Sequence, residues 1–538
     1  MPLLPLTSEQ IQHYVSVEMW QERALYEVVD DIAARTPDRI ALADQHERLT
    51  YGEFVRRTNN IAAWLVGQGL EAGAPVALQA TNRVALALMH FACDRADMLF
   101  LPLSSAWRER EIGHLLGLAQ AQVLFVPART DRHDYRAIVD QIRGDLPDLK
   151  LVGVLDGLGG DVDLSVIATQ GDNAYSTEVD PNTPRYIMVA SGTTELPKMS
   201  LWTDNNLWAF MKHYRESVEM TGGDICLGMA PANTGATGYV FPVLAPLLAG
   251  ATSVLVEDWD PTVALELLES EKATIASAVP TQILKLFQED SLDAHDFSAL
   301  RVFTNAGAAM PPDAAREMES VFGCTGQVVY GTTDGGVPFM TRVDDPEEKR
   351  WSTVGRTLPH GEVRLLDPFG ADVAQGKPGE IAWRSPTKTF GYLNEQERTE
   401  AAWFKDGWYR SGDLGRFDAA GFLSIIGRVK DMIIRGGQNI SPRELEDVII
   451  RHLSVAEVSV VGIPDPIYGE RACACIILRA GATLEVQDLL DFMLEQGMAK
   501  FKLPERVEIF DEFPSSAGGK VTKVELRKMV ADRSSTET

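Results

Sequence analysis

Tyr186-Ile187-Met188-Val189-Ala190 runs without a break into Ser191-Gly192-Thr193-Thr194-Glu195-Leu196-Pro197-Lys198. The apolar run reads as a buried strand, and it leads into a small, hydroxyl-rich turn that ends on a lysine. Free N–H groups, hydroxyls and one cation gathered beyond a strand end are the chemistry that a phosphate chain needs. The turn is not a Walker A loop, because GxxxxGK[ST] is absent. Taken alone, it also reads as an ordinary Ser/Gly/Thr turn.

Outward from this hairpin the chain alternates strand-like and helical runs. Pro75-Val76-Ala77-Leu78-Gln79 predicts a strand, Val84 to Cys93 a helix, and Met98-Leu99-Phe100-Leu101-Pro102 another strand. That alternation predicts α/β layers with largely parallel sheets, here two doubly wound subdomains. Between Lys377 and Ile426 the glycines at 379, 391, 407, 412, 415 and 421 separate short strand-like pieces, which predicts a β-rich subdomain. After Arg428-Val429-Lys430-Asp431 comes a small α+β unit, opening with Met432-Ile433-Ile434 and a Gly436-Gly437 turn. Ser441-Pro442-Arg443-Glu444 reads as a capping box, and Leu445, Val448 and Ile449 as the inward stripe of the helix it starts. The expected architecture is α/β: a large N-terminal region, residues 1–428, and a mobile C-terminal α+β domain, residues 429–538. The polar tail Asp532 to Thr538 is expected to fray.

Composition narrows the partners. At 538 residues the chain is too long for one core, and 45% hydrophobic with 24% charged residues excludes disordered or disulfide-scaffold classes. Lys plus Arg number 50 against 77 Asp plus Glu, a formal charge of −27, which repels nucleic acid and anionic lipid at long range. A small anion is held only where basic groups and backbone donors converge locally. The five cysteines include no CxxC pair and read as reduced thiols of a cytoplasmic protein, with Cys473 and Cys475 on one strand face. The start, Met1-Pro2-Leu3-Leu4-Pro5-Leu6, lacks the basic region of a signal peptide. The most membrane-like stretch, Tyr239 to Val256, is broken by Pro242, Pro246 and Gly250 and reads as a short helix, a turn and a strand.

Four more segments complete the pattern: Tyr330-Gly331-Thr332-Thr333-Asp334; Tyr409-Arg410-Ser411-Gly412-Asp413-Leu414-Gly415; Gly427-Arg428-Val429-Lys430-Asp431 with Gly436-Gly437; and Pro514-Ser515-Ser516-Ala517-Gly518-Gly519-Lys520. In this order and spacing, and with Leu49-Thr50-Tyr51-Gly52-Glu53, they resemble the adenylate-forming enzymes: acyl-CoA synthetases, nonribosomal-peptide adenylation domains and beetle luciferases. The resemblance spans nearly the whole chain. It implies two half-reactions in one site. A carboxylate attacks the α-phosphorus of ATP to give acyl-AMP and pyrophosphate; the C-terminal domain then swings, and a thiol attacks the acyl carbonyl as AMP leaves.

The resemblance also implies roles. Ser191, Gly192, Thr193, Thr194, Glu195 and Lys198 would form the phosphate loop. Tyr330 would stack on adenine beside Asn305 to Ala309, with Gly307, Ala308 and Ala309 permitting close approach, and Gly331, Thr332 and Thr333 would continue the nucleotide wall. Asp413 suits the ribose hydroxyls, and Arg428 reaches ribose or phosphate. Asp334 stands where the family usually has a glutamate ligand of Mg²⁺; its shorter arm calls for a bridging water. Lys520 would neutralise the acyl carboxylate and α-phosphate during adenylation. Lys430 would be the hinge, and Gly436 and Gly437 would line the pantetheine path. Asn233, Gly235 and Gly238, with Gly307 and Ala308, would border the acyl pocket, whose small uncharged residues suggest a bulky apolar acid rather than an amino acid.

The loop departs from the family's usual Thr-Ser-Gly-Thr-Thr-Gly-x-Pro-Lys-Gly: Ala190 replaces a threonine, and Glu195 and Met199 replace glycines. A carboxylate about 5 Å from a phosphate charge, at an effective dielectric near 20, costs on the order of 3 kcal/mol. Acyl-AMP has no β or γ phosphate, so the second half-reaction escapes this penalty. The sequence therefore predicts a ligase that makes acyl-CoA from an acyl adenylate and CoA, with its own adenylation weak or lost and a separate adenylating enzyme as partner. A full two-step synthetase, an enzyme loading a carrier protein, and a non-catalytic nucleotide sensor stand as alternatives.

Overall fold

A strand covered on both faces needs an unbroken apolar run rather than an alternating one. Pro75–Ala80 is such a strand, buried beyond its first residue. The helix Val84–Arg95, itself buried nearly all round, returns the chain to the parallel strand Leu99–Ser104. Repetition builds a six-stranded sheet in the spatial order Leu151–Val154, Val123–Val126, Pro75–Ala80, Leu99–Ser104, Pro184–Ala190, Lys198–Thr203. Only its last pair is antiparallel. Arg185, at the root of Pro184–Ala190, is 1% exposed and binds Asp94 at 2.8 Å and Asp204 at 2.6 Å, so its buried charge is matched on both sides.

A second sheet has nine strands, in the order Arg356–Thr357, Gly336–Met340, Thr325–Thr332, Val302–Ala306, Ile275–Ala278, Ile225–Gly228, Thr252–Leu255, Ile40–Ala43, Arg48–Thr50. Its centre is parallel and both edges are antiparallel. These two sheets are the doubly wound layers expected from the alternation.

The computed structural model describes residues 7–127, 133–155, 157, 162–175, 177–190, 196–232, 235–404, 407–514 and 521–536. They pack as two compact units. Leu196–Glu362, Trp383–Tyr409 and the chain before residue 192 form the first; Val363–Ala382 and the chain from Arg410 onward dominate the second. Lys430, the expected hinge, lies within the second unit.

Most of a four-stranded sheet, Glu362–Leu366, Gly379–Arg384, Tyr409–Phe417 and Leu423–Arg428, with its last pair antiparallel, falls in the second unit, as the glycine-punctuated texture predicts. That unit also holds a sheet of Gln438–Ile440, Ile433–Arg435, Gly469–Leu478 and Val455–Asp465, with Arg506–Ile509 alongside Gly469–Leu478. Cys473 and Cys475 share one core with Leu526 and Val530, while Ala472, Ala474 and Ile476 face another. All five cysteines are buried and unbridged. Burial pushes the thiols of Cys93, Cys226 and Cys324 up, away from nucleophilic use.

Two local expectations need correction. Ser441 accepts the Glu444 N–H at 3.5 Å, but the Glu444 carboxylate is taken by Lys502 at 2.6 Å, so the capping box is half-made. The helix Lys523–Thr536, whose Leu526 and Val530 are buried, runs past Asp532 where the tail is expected to fray, and residues 537–538 lie outside the described residues. The stretch Tyr239 to Val256 is the expected helix, turn and strand; its helix begins as a π-helical run, Ala236–Leu244, with Pro242 inside it, and becomes α-helical at Ala245–Ala249. Gly250 then turns at φ +74° into the strand Thr252–Leu255. Among the described residues no helix is long and apolar enough to cross a membrane.

Candidate active site

The hairpin of residues 184–203 is present as its two stems. Ala190 pairs with Lys198 and Val189 with Met199. The connecting Ser191, Gly192, Thr193, Thr194 and Glu195 lie outside the described residues, as do Asn233 and Lys520. Met199 changes standing here. It lies inside the strand Lys198–Thr203, fully buried, in the core that holds Ile187, Val189, Leu201 and Phe390. Its side chain is a packing element and not an intrusion among the phosphates, because strand alternation turns Met199 and Leu201 to the same apolar face. The Lys198 ammonium sits 5.2 Å from the centroid of the Tyr392 ring.

Asp334 rides the turn between the antiparallel strands Thr325–Thr332 and Gly336–Met340, in which Tyr330 pairs with Phe339 and Thr332 with Gly336. The turn is fixed from several directions. Gly335 N–H donates to Thr332 Oγ1 at 2.8 Å, Trp383 Nε1 donates to the Gly335 carbonyl at 2.9 Å, and Thr387 Oγ1 donates to the Val337 carbonyl at 2.8 Å. The Thr389 hydroxyl donates to the Asp334 carbonyl. A β-carbon on Gly331 would meet the Gly336 carbonyl oxygen at 2.6 Å, so glycine there is a condition of the hairpin itself. The Asp334 carboxylate accepts one hydroxyl on each oxygen, Ser200 at 3.2 Å and Tyr392 at 2.7 Å. Burial, and then the neighbouring Asp334 charge, push the Tyr392 phenol far up, which keeps it a donor.

Tyr330 is half-buried, its ring 6.2 Å from Trp383 at 70° and 6.1 Å from Phe339. Gly307, Ala308 and Ala309 are exposed just past the C-terminal end of the parallel strand Val302–Ala306, the end where open α/β sheets bind ligands. Thr332 and Thr333 are half-buried beside Asp334.

On the expected acyl side, a β-carbon on Gly235 would lie 3.6 Å from Thr333 Oγ1 and 3.9 Å from Met188 Sδ, and one on Gly307 would lie 3.5 Å from Val279 Cγ1 and 3.6 Å from Thr237 Oγ1. None of these side chains is charged. Gly238 has a different reason to be glycine: a β-carbon there would fall 1.9 Å from the Pro231 carbonyl oxygen, so close backbone packing dictates it.

In the second unit Asp413 and Arg428 stand directly opposite each other on paired strands, joined at 2.7 Å from Arg428 Nε to Asp413 Oδ1. The Asp413 side chain is 11% exposed and that of Arg428 46%. Ser411 Oγ accepts the Asp413 N–H at 3.0 Å and donates to the Ile381 carbonyl at 2.8 Å, fixing the acid's backbone. Lys430 is exposed in the short turn Val429–Asp431. Gly436 and Gly437 form the tip of the hairpin between Ile433–Arg435 and Gln438–Ile440, at φ +56° and +81°. A β-carbon on Gly437 would meet nothing within 4 Å. The turn's need for positive φ accounts for the glycines, and the space around Gly437 is open.

Among the described residues no group of three or more His, Cys, Asp or Glu side chains is arranged to hold a metal. Asp334 offers a single hard oxygen ligand group. That suits Mg²⁺ shared with a nucleotide, which takes one or two carboxylates and fills its remaining sites with phosphate oxygens and water.

The sequence profile of the AMP-binding enzyme family matches residues 29–393, and that of the AMP-binding enzyme C-terminal domain matches residues 444–520. The chain is 32% identical to the medium-chain fatty-acid–CoA ligase of Escherichia coli K12, over 96% of this chain and 92% of that protein. It is 30% identical to the 2-hydroxy-7-methoxy-5-methyl-1-naphthoate–CoA ligase of Streptomyces carzinostaticus, over 99% and 98%. ATP-bound MatB of Rhodopseudomonas palustris superposes with a TM-score of 0.85 at 26% identity, covering 95% of this chain and 99% of that one.

Proposed function

Because this chain belongs to the AMP-binding enzymes, the adenylate-forming superfamily, and is an acid–thiol ligase, we propose that it makes an acyl-CoA thioester from an acyl adenylate and CoA. Its own ATP-driven adenylation is weak or lost, and the acid is bulky and largely apolar. ATP or AMP and CoA are the small molecules such a ligase handles; an adenylate supplied by a separate adenylating enzyme is part of the proposal.

In this reading Tyr330 stacks on adenine beside Gly307, Ala308 and Ala309. Asp413 accepts the ribose O–H donors, and Arg428 holds Asp413 in place while reaching ribose or phosphate. Ser191, Gly192, Thr193, Thr194 and Lys198 serve the phosphates, with Gly331, Thr332 and Thr333 continuing the wall. Asp334 is the residue that would hold Mg²⁺, which when bound neutralises charge on the triphosphate oxygens. Lys520 balances the negative charge that gathers between carboxylate and α-phosphate. Rotation at Lys430 then brings the Gly436–Gly437 turn to the pantetheine arm. The CoA sulfur forms a bond to the acyl carbon, the acyl C–O bond to phosphate breaks, AMP leaves with the electron pair, and the thiol proton goes to solvent.

One contrast carries the reading. Asp413 and Arg428, which both half-reactions need, are paired at 2.7 Å, whereas the loop that only ATP needs carries a carboxylate, Glu195. The Escherichia coli and Streptomyces relatives, one named for a fatty acid and one for a naphthoate, support an apolar acid and CoA as acceptor. The test separates the two steps. Synthetic acyl-AMP plus CoA yields thioester readily, while ATP–pyrophosphate exchange with the free acid runs about a hundredfold slower. Brisk exchange overturns the proposal in favour of a second reading, an ordinary two-step synthetase, which the burial of Met199 in the core favours.

A further inference from the structure

Ser200 and Tyr392 stand outside the motifs quoted above, yet they meet on one carboxylate. The segment 390–393 docks antiparallel on the strand Lys198–Thr203: Phe390 N–H donates to the Leu201 carbonyl at 3.1 Å, Leu201 N–H to the Gly391 carbonyl at 3.1 Å, and Leu393 N–H to the Met199 carbonyl at 2.9 Å. Ser200 and Tyr392 are the directly bridged pair in this docking. Residues directly opposite in an antiparallel pair project to the same side. Their hydroxyls accordingly converge on Asp334, one on each carboxylate oxygen.

A carboxylate has about four lone-pair sites. The two hydroxyls take two and stop the side chain turning, which leaves the others for a cation or its water. The Asp334 main chain is held separately by Thr389, so neither half of the residue is loose. The same Tyr392 ring lies under the Lys198 ammonium. One aromatic side chain thus ties together the acid and the lysine that the triphosphate calls on.

Resting on the assignment of Asp334 to Mg²⁺, we propose that Ser200 and Tyr392 are positioning residues for the metal–nucleotide complex. They hold the short aspartate arm in a single orientation, so that binding the metal with its triphosphate requires no ordering of that arm.

The experiment uses the full chain and the variants Tyr392→Phe, Ser200→Ala, their double and Asp334→Asn. Binding of the preformed Mn²⁺–ATP complex to the protein is followed by the change in its electron paramagnetic resonance spectrum as protein is titrated in, and AMP binding is measured alongside. Each single variant weakens Mn²⁺ about threefold to tenfold, the size of one hydroxyl hydrogen bond. The double weakens it further, a fifth variant, Ser200→Thr, which keeps the hydroxyl, holds the parental affinity, and AMP, which lacks the β and γ phosphates, binds each variant as it binds the parent. Parental Mn²⁺ affinity in the double, with Asp334→Asn impaired, overturns the clamp alone. Parental affinity in Asp334→Asn as well removes the metal assignment and the clamp with it. Equal losses of Mn²⁺ and AMP binding, with a lowered melting temperature, reduce the pair to a structural contact and also overturn the proposal.

Discussion

Replacing Met199 by glycine restores the residue usual in related loops, and the structure predicts that it damages the fold without helping ATP. Met199 is fully buried in an antiparallel strand, paired with Val189 and packed in the core with Ile187, Leu201 and Phe390. Truncating a buried methionine to its β-carbon costs about 2–5 kcal/mol, from lost transfer energy plus the cavity left behind. Glycine in a strand adds about 0.5–1 kcal/mol. The sum, about 3–6 kcal/mol, lowers the melting temperature by on the order of 10 °C, at about 2–4 °C per kcal/mol for a large domain. Scanning fluorimetry reads the first quantity. ATP–pyrophosphate exchange, normalised to folded protein below the transition, reads the second, and no gain is expected. A Met199→Gly protein that melts with the parent and exchanges faster would refute the placement of this side chain in the core.

Glu195→Gly has the opposite signature: melting unchanged within about 1 °C, and exchange raised about a hundredfold by removal of a charge worth on the order of 3 kcal/mol at the phosphates; no gain removes the electrostatic argument. Asp413→Asn, which weakens the pair with Arg428, raises KM for both ATP and acyl-AMP about tenfold or more in steady-state assays of each half-reaction, whereas an effect on ATP alone contradicts the ribose role. Burial holds the imidazoles of His90 and His213 down at about 4 from an ordinary 6.5. The unfolded chain therefore binds the protons first, and stability is lost as pH falls from about 6.5 to about 4, by on the order of 3 kcal/mol per histidine. Denaturant titrations across that range show the slope, and His90→Asn or His213→Asn removes about one proton from it; an unchanged slope in both rejects this account.

The parts of the fold legible in the sequence are those where one physical demand dominates. Pro75–Ala80, Val84–Arg95 and Leu99–Ser104 are plain because burial on both faces leaves no room for polar residues. Asp334, Asp413, Arg428 and Gly436–Gly437 are legible as motif positions. The π-helical start of Ala236–Leu244 is hidden because an apolar composition does not distinguish helical registers. Ser441 and Glu444 satisfy the pattern of a capping box, but the pattern is blind to Lys502, which arrives from far along the chain. Met199 is misjudged when counted as a loop residue; its alternation with Leu201 is the signal that the strand has already begun. Ser200 and Tyr392 escape motif reading because their partnership exists only after segment 390–393 docks on Lys198–Thr203. The one hint is a hydroxyl set inside the apolar run Met199-Ser200-Leu201-Trp202.

The donors that hold the Asp334 turn, Trp383, Thr389 and Tyr392, come 48 to 58 residues after the groups they bind. A ribosome delivers the acid first and these three donors later. Until that downstream stretch has left the exit tunnel and folded back, the nascent polypeptide has only the earlier Ser200 to hold this carboxylate, on a turn that still lacks its Trp383 and Thr389 contacts. The order of synthesis thus postpones the finished Asp334 turn until the first unit is complete, and a chain stalled short of these residues lacks the means to complete it.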